Sequence, residues 1–222
     1  MPSESASIRQ QDPITVFGHV GSACTRRVLV ALAEKGVEAK LSVVDLSKGE
    51  QKGADHLARQ PFGVVPAITI DGFTMYESLA IVRYLEHRYP TPSLTPKSRP
   101  DIARMEQFLS VEYSYLAGAV GVVMVQKILN PMFGRPVDEL QMTSARDRLM
   151  QVFDVLEAAL ARQPYLAGDQ FSLADLNFLP GLATLQKANE SLVIEERPSC
   201  LAWMQRVTLR PSWKSVIARS PW

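Results

Sequence analysis

Cysteine is scarce in this chain: 222 residues hold only Cys24 and Cys200, far apart and without the spacing of a redox pair or a metal knuckle. Histidine is equally thin, and His19, His56 and His87 are scattered, so no metal site is expected. Charge of one sign is missing too. The 24 basic residues nearly balance 23 acidic ones for a net charge of +1, which leaves no global field to draw the chain to nucleic acid or an anionic membrane. The longest apolar stretch, Leu116 to Val125, is ten residues with two glycines. That is well below the roughly 20 needed to span a bilayer and reads as a buried helix face. The first twelve residues, MPSESASIRQQD, lack the apolar core of a secretory signal and read as a loose tail, with a cytoplasmic location expected. Neither an internal repeat nor a low-complexity run is present.

What is present is ordinary globular composition, 46% hydrophobic, enough for one large domain or two small ones. Strand-like runs occur only early, at Ile14–Phe17, Leu41–Val44, Ala67–Ile70 and Phe73–Met75. Helical spacing over Arg26–Lys35, closed by Gly36, supplies a crossover between the first two runs and makes them parallel. Asp71-Gly72 is a two-residue hairpin signal, so the last two are antiparallel neighbours in a mixed sheet. A helix follows over Ser78–Tyr89, and then Pro90, Pro92, Pro96 and Pro100 mark an extended linker. Downstream, Asp101 to about Leu129 and Asp138 to about Ala161 carry helical periodicity, broken between by Pro131 and Pro136. The expected organisation is a tail at 1–12, an α/β domain at 13–90, a linker at 91–100 and an all-helical domain at 101–222.

Several local patterns admit two explanations. Ser22, between the first strand and the first helix, is either a simple N-cap or a hydroxyl set where unpaired N–H groups and the helix dipole favour an anion such as a thiolate. Val65-Pro66 precedes the third strand and is either an ordinary trans turn or a cis bond that turns the Val65 backbone outward to pair with an extended, peptide-like ligand. Ser78 reads as a plausible N-cap, but beside Glu77 it also suits an amino acid's two charges, hydroxyl to carboxylate and acid to ammonium. Gln51 and Lys52 form a polar loop that is a solvated face unless a bound carboxylate lies near. Met105, Leu109, Leu116, Val120, Val123 and Met124 could line a pocket or fill the core. Cys24, two residues past Ser22, is either an acidic thiol for disulfide exchange or a small core residue. Ser172 and Asp175, three apart before an apolar run, form a capping box.

Taken together, GHVGSACTRRVLVALAEKGVE, DLSKGEQK, PFGVVPAITIDG, MYESLAIVRYLEHRYP and YLAGDQFSLADL resemble the glutathione transferase family, in its serine-type phi class, from about Ile14 to Trp213. The resemblance implies a thioredoxin-like first domain, an all-helical second domain and a homodimer with a cleft between the domains of each subunit. It implies glutathione as co-substrate, with no metal, and a small hydrophobic electrophile as the second substrate. By position, Ser22 matches the serine that hydrogen-bonds the glutathione sulfur. Lys52 matches a ligand of the glycine carboxylate, Val65 precedes the family's cis-proline at Pro66, and Glu77 with Ser78 match the pair holding the γ-glutamyl end. Gln51 and Val64 stand where the family commonly has His and Gln, so glutathione is expected to receive fewer or different side-chain bonds. Val20, Leu116, Val120 and Val123 are the expected electrophile pocket.

The implied chemistry is conjugation of the glutathione thiolate to a hydrophobic electrophile, with peroxide reduction as a side activity. Lowering a thiol pKa by two units takes about 2.7 kcal/mol, within reach of one charge-assisted hydrogen bond and a helix start. Two other functions fit the same scaffold: a non-catalytic binder of hydrophobic ligands or a protein partner, and a thiol transferase using Cys24.

Overall fold

The computed structural model describes residues 13–219; the expected tail at 1–12 lies outside the described residues. Strands β1 (Thr15–Gly18), β2 (Lys40–Val43), β3 (Ala67–Ile70) and β4 (Phe73–Tyr76) form one sheet in the order β2-β1-β3-β4. β1 and β2 are parallel, joined by helix α1 (Ala23–Glu34), while β3 runs antiparallel to both β1 and β4. Asp71 and Gly72 have φ of 51° and 79°, the positive pair that a tight hairpin matched to strand twist requires.

The middle of helix α1, from Val28 to Leu32, is apolar all round because the helix is buried on two sides. Val28, Leu29, Val30, Ala31 and Leu32 are all buried. The helix packs beside α3 (Ser78–Arg88) in its own domain and against α8 (Leu173–Lys187) and α11 (Pro211–Ile217) in the other. A short helix, α2 (Ala54–Leu57), follows the 3₁₀ turns Leu46–Lys48 and Glu50–Lys52.

The proline-rich connection is fastened to the first domain by a buried ion pair between Lys35 and Glu86. Lys35 donates to the Pro92 carbonyl at 2.5 Å, and Glu86 accepts the Leu94 and Thr95 amides at 3.0 Å each. The next helix begins at Arg99, two residues before the expected start. Pro100 sits in its first turn, where a missing N–H costs no hydrogen bond, and Ser98 caps it by accepting from the Asp101 amide.

That helical run continues to Met132 as α4 (Arg99–Val111), a π turn (Glu112–Leu116), α5 (Ala117–Val123), a second π turn (Met124–Leu129) and α6 (Asn130–Met132). Pro131 does not stop it, because it opens the last short turn. By length and composition this run is apolar enough to cross a membrane. Its buried residues, including Phe108, Leu109, Ala119 and Val120, pack within the bundle, where α5 lies on α7 (Glu139–Leu160) and α8. The expected capping box opens α8: Ser172 N and Oγ both donate to Asp175 Oδ2 at 2.9 Å. Helices α9 (Leu192–Glu195) and α10 (Pro198–Thr208) complete the bundle before α11.

Candidate functional site

Strand register gathers the site. Phe17 pairs with Ala67, and Ala67 pairs with Tyr76. The turn after β1, the residues before β3 and the residues after β4 therefore meet at one end of the sheet. Gly18 also pairs with Val43, which sends the loop carrying Gln51 and Lys52 from that same end. Four segments distant in sequence thus converge because the strands are short and aligned.

Ser22 is the N-cap of α1, with φ −80° and ψ 128°, and its Oγ accepts from the Thr25 amide at 3.4 Å. That bond is long and uses only a lone pair. Among the described residues the Ser22 hydroxyl donates to no protein acceptor, so its proton is available to a ligand at the positive end of the helix dipole. Gly18 makes this turn possible: a Cβ there would lie 2.6 Å from Thr25 Oγ1 in the first turn of α1.

Val65-Pro66 is cis, the less common of the two readings of that dipeptide. Both residues are buried, whereas Val64 is exposed. The His56 ring shares a 2.7 Å hydrogen bond with the Val64 carbonyl and so fixes the segment that leads into the cis bond. Gly63, at φ +61°, lets Lys52 lie across this loop, where its Nζ donates to the Phe62 carbonyl at 3.2 Å. Lys52 remains exposed, while Gln51 is half-buried with an unpartnered Oε1.

Glu77, not Ser78, is the N-cap of α3, at φ 68° and ψ 104°. A non-glycine residue held at positive φ is strained, and such strain is kept where surroundings over-determine it. The turn exposes the Glu77 carboxylate and buries Ser78 as the first helical residue. Ser78 Oγ accepts from Arg27 Nη1 at 2.8 Å. Arg27 Nη2 meets Glu112 at 3.1 Å, and Asn177 Nδ2 donates to the other Glu112 oxygen at 2.7 Å. Burial pushes the Glu112 carboxyl above its usual range, against the pull of Arg27 and Asn177. None of Arg27, Glu112 and Asn177 is among the expected site residues. Their one signal is a charged or amide side chain at three otherwise apolar helical positions.

The expected electrophile pocket needs correction. Leu116 and Val123 have no accessible surface, and Val120 is buried, because this face of the long helix is core. Leu116 and Val120 pack over Gly181 of α8. A cavity of about 260 Å³ lies one turn further on, between Met124 and Ile128 of the second π turn, Ala183 and Lys187 of α8, and Trp213 and Ile217 of α11. Arg26 also lines it and donates through Nε to the Val20 carbonyl at 2.7 Å, which ties half-buried Val20 to that cavity wall.

The cysteines separate. Cys200 is buried, its Sγ against the Phe153 carbonyl at 3.6 Å, and burial pushes the thiol up to about 12. Cys24 is half-buried inside α1, with Arg27 Nη1 at 3.7 Å from its sulfur, and no second cysteine accompanies it.

Two family models match: the glutathione S-transferase N-terminal domain over residues 21–88 and the glutathione S-transferase C-terminal domain over 122–211. The chain is 36% identical over 200 residues to glutathione S-transferase F10 of Arabidopsis thaliana, spanning 89% of this chain and 93% of that protein. Among solved structures it is similar to glutathione transferase F7 of Populus trichocarpa, with a TM-score of 0.88 and 33% identity over 92% of this chain and 98% of that one. It is also similar to maize glutathione S-transferase I in complex with an atrazine glutathione conjugate, with a TM-score of 0.85 and 30% identity over 93% and 97%. The order of the strands, the cis bond before β3, the strained turn before α3 and these relatives together place the chain in the glutathione S-transferase family, among its plant-type phi-class members.

Proposed function

We propose that glutathione lies across the end of the sheet defined by Ser22, the Val65 backbone, Lys52 and Glu77-Ser78, with its sulfur at Ser22. The chain is a glutathione transferase that conjugates the glutathione thiolate to electrophiles. The observation that carries the site assignment is the uncommitted Ser22 hydroxyl at the start of α1, brought by register to the same sheet end as the cis bond and the strained turn. In this arrangement the α1 N-terminus and Ser22 stabilise the thiolate, so no general base has to hold the proton at neutral pH. The thiolate forms a carbon–sulfur bond and the electrophile's leaving group departs with the electron pair. Ser22 forms no covalent bond. Val65 offers its backbone to the peptide part of glutathione, Lys52 its ammonium to the glycine carboxylate, and Glu77 and Ser78 hold the γ-glutamyl ammonium and carboxylate.

The electrophile belongs in the cavity beside Val20, where Met124, Ile128 and Trp213 offer apolar surface. The atrazine conjugate held by the maize relative supports a halogenated aromatic as a fitting substrate class. Ser22→Ala tests the assignment. Loss of a hydrogen bond to a charged group is expected to cut turnover with an aromatic halide by about 10- to 100-fold and to raise the pH at which bound thiolate absorbs, with glutathione affinity little changed. Unchanged turnover and an unchanged thiolate titration remove Ser22 from this role.

A homodimer is part of the same reading. Exposed Phe62, Tyr76 and Tyr113, and the groove between α3 and α4 that Tyr113 helps to line, offer an apolar surface suited to a second copy. A cytoplasmic location accords with two unpaired cysteines.

A further inference from the structure

We infer that Arg27 is a positioning residue for glutathione: it orients the Ser78 hydroxyl, and Glu112 and Asn177 of the helical domain hold it in place. The γ-glutamyl subsite is then completed by the second domain, through a side-chain chain that crosses the domain boundary. This inference rests on the assignment of Ser78 to the γ-glutamyl carboxylate.

A guanidinium only donates, so in the 2.8 Å contact between Arg27 Nη1 and Ser78 Oγ the hydroxyl oxygen is the acceptor. One lone pair is taken and the hydroxyl proton is directed away from the arginine. Among the described residues that proton meets no protein acceptor. It is left for a ligand, and a hydroxyl polarised by a cation is a stronger donor to a carboxylate.

Arg27 is itself 7% exposed and cannot rely on water to fix its plane. Glu112 supplies the opposing charge at 3.1 Å, and Asn177 satisfies the second carboxylate oxygen at 2.7 Å. Glu112 opens the π turn Glu112–Leu116, and Asn177 lies on α8, so both holders come from the helical domain. Arg27 and Ser78 come from α1 and α3 of the other. A buried ion pair adds little to stability over apolar residues of the same volume, so stability alone does not account for its presence.

A double-mutant cycle tests this. KM for glutathione, kcat and KM for the electrophile are measured for the parent, Ser78→Ala, Arg27→Lys and the double variant, with melting temperatures as a check on folding. Lysine keeps the charge but loses the fork that reaches Ser78 and Glu112 together. Ser78→Ala is expected to raise the glutathione KM about tenfold. Arg27→Lys is expected to raise it about fivefold, with kcat and the electrophile KM within about twofold. The double variant should resemble Ser78→Ala alone, because Arg27 acts through a hydroxyl that is no longer there.

Multiplying effects in the double variant, or an unchanged glutathione KM in Arg27→Lys, overturns the inference. An unchanged KM in Ser78→Ala instead refutes the underlying subsite assignment, and the inference falls with it. Should Arg27→Lys fail to fold, Arg27→Met combined with Glu112→Gln removes both buried charges and keeps a partner for Asn177. The same fivefold rise in glutathione KM is then expected, and its absence overturns the inference.

Discussion

Val64 is exposed beside the cis bond and contributes only apolar surface to the proposed glutathione site. An amide there could reach the ligand, so Val64→Gln is expected to lower the glutathione KM about fivefold, the worth of one added hydrogen bond, and steady-state kinetics at varied glutathione would read it. Gly18 acts differently, through packing. Its substitution by alanine drives a methyl to 2.6 Å from Thr25 Oγ1 and 2.8 Å from Thr25 Cγ2. Gly18→Ala should destabilise by about 2 kcal/mol and displace the start of α1, while Gly18→Ala with Thr25→Ala restores the urea midpoint. Failure of that rescue would remove Thr25 as the source of strain.

At the scale of elements, the start of α8 is an anchor for the helical domain. Asp175 is fully buried and accepts from the Ser172 amide and hydroxyl, the Leu166 amide and Trp203 Nε1, all at 2.9 Å. Burial pushes its carboxyl up, and these donors pull the other way. Asp175→Ala strands several buried donors at once and is expected to cost about 4 kcal/mol, seen as a fall in urea midpoint with an unchanged m value. Because Trp203 packs edge-on to Phe178 at 5.8 Å, tryptophan fluorescence should report the same transition. The capping box was legible from Ser172 and Asp175 alone, since its spacing is local. The involvement of Trp203, 28 residues on, was not.

For the whole molecule, α1 serves as the common wall of both domains, and its end is clamped by charge. Glu34 accepts a forked contact from Arg210 at 2.6 and 2.7 Å, together with a bond from Ser212. Burial raises the Glu34 carboxyl, but the Arg210 and Ser212 hydrogen bonds outweigh it and hold the group below its usual range. A carboxylate depressed in the folded state contributes stability above its unfolded value, about 4.3, and loses it as pH falls through the folded value. Glu34→Gln should therefore be less stable than the parent by about 2 kcal/mol at pH 7, with the gap closing below about pH 4 in paired urea titrations. A gap that stays constant with pH would show that charge is not its cause. The homodimer is tested at this scale too: light scattering should give twice the chain mass, and Tyr113→Glu in the α3/α4 groove should shift the protein to the monomer, whereas a monomeric parent rejects the proposed surface.

By itself the sequence determined the mixed sheet, the hairpin at Asp71-Gly72, the division into α/β and helical parts, and the motifs on which the proposed glutathione site draws. These depend on periodicity, turn chemistry and motifs confined to neighbouring residues. Tertiary structure alone decided that Glu77 carries the strain while Ser78 is buried, that Leu116 and Val123 are core while Met124 and Ile128 face a cavity, and that Arg27 reaches Ser78. The physical reason is that helical periodicity marks an apolar face without saying whether another helix or a cavity lies opposite it. Likewise, a buried charge finds its partner across 85 residues of sequence, as Arg27 does in Glu112, only after both domains have packed.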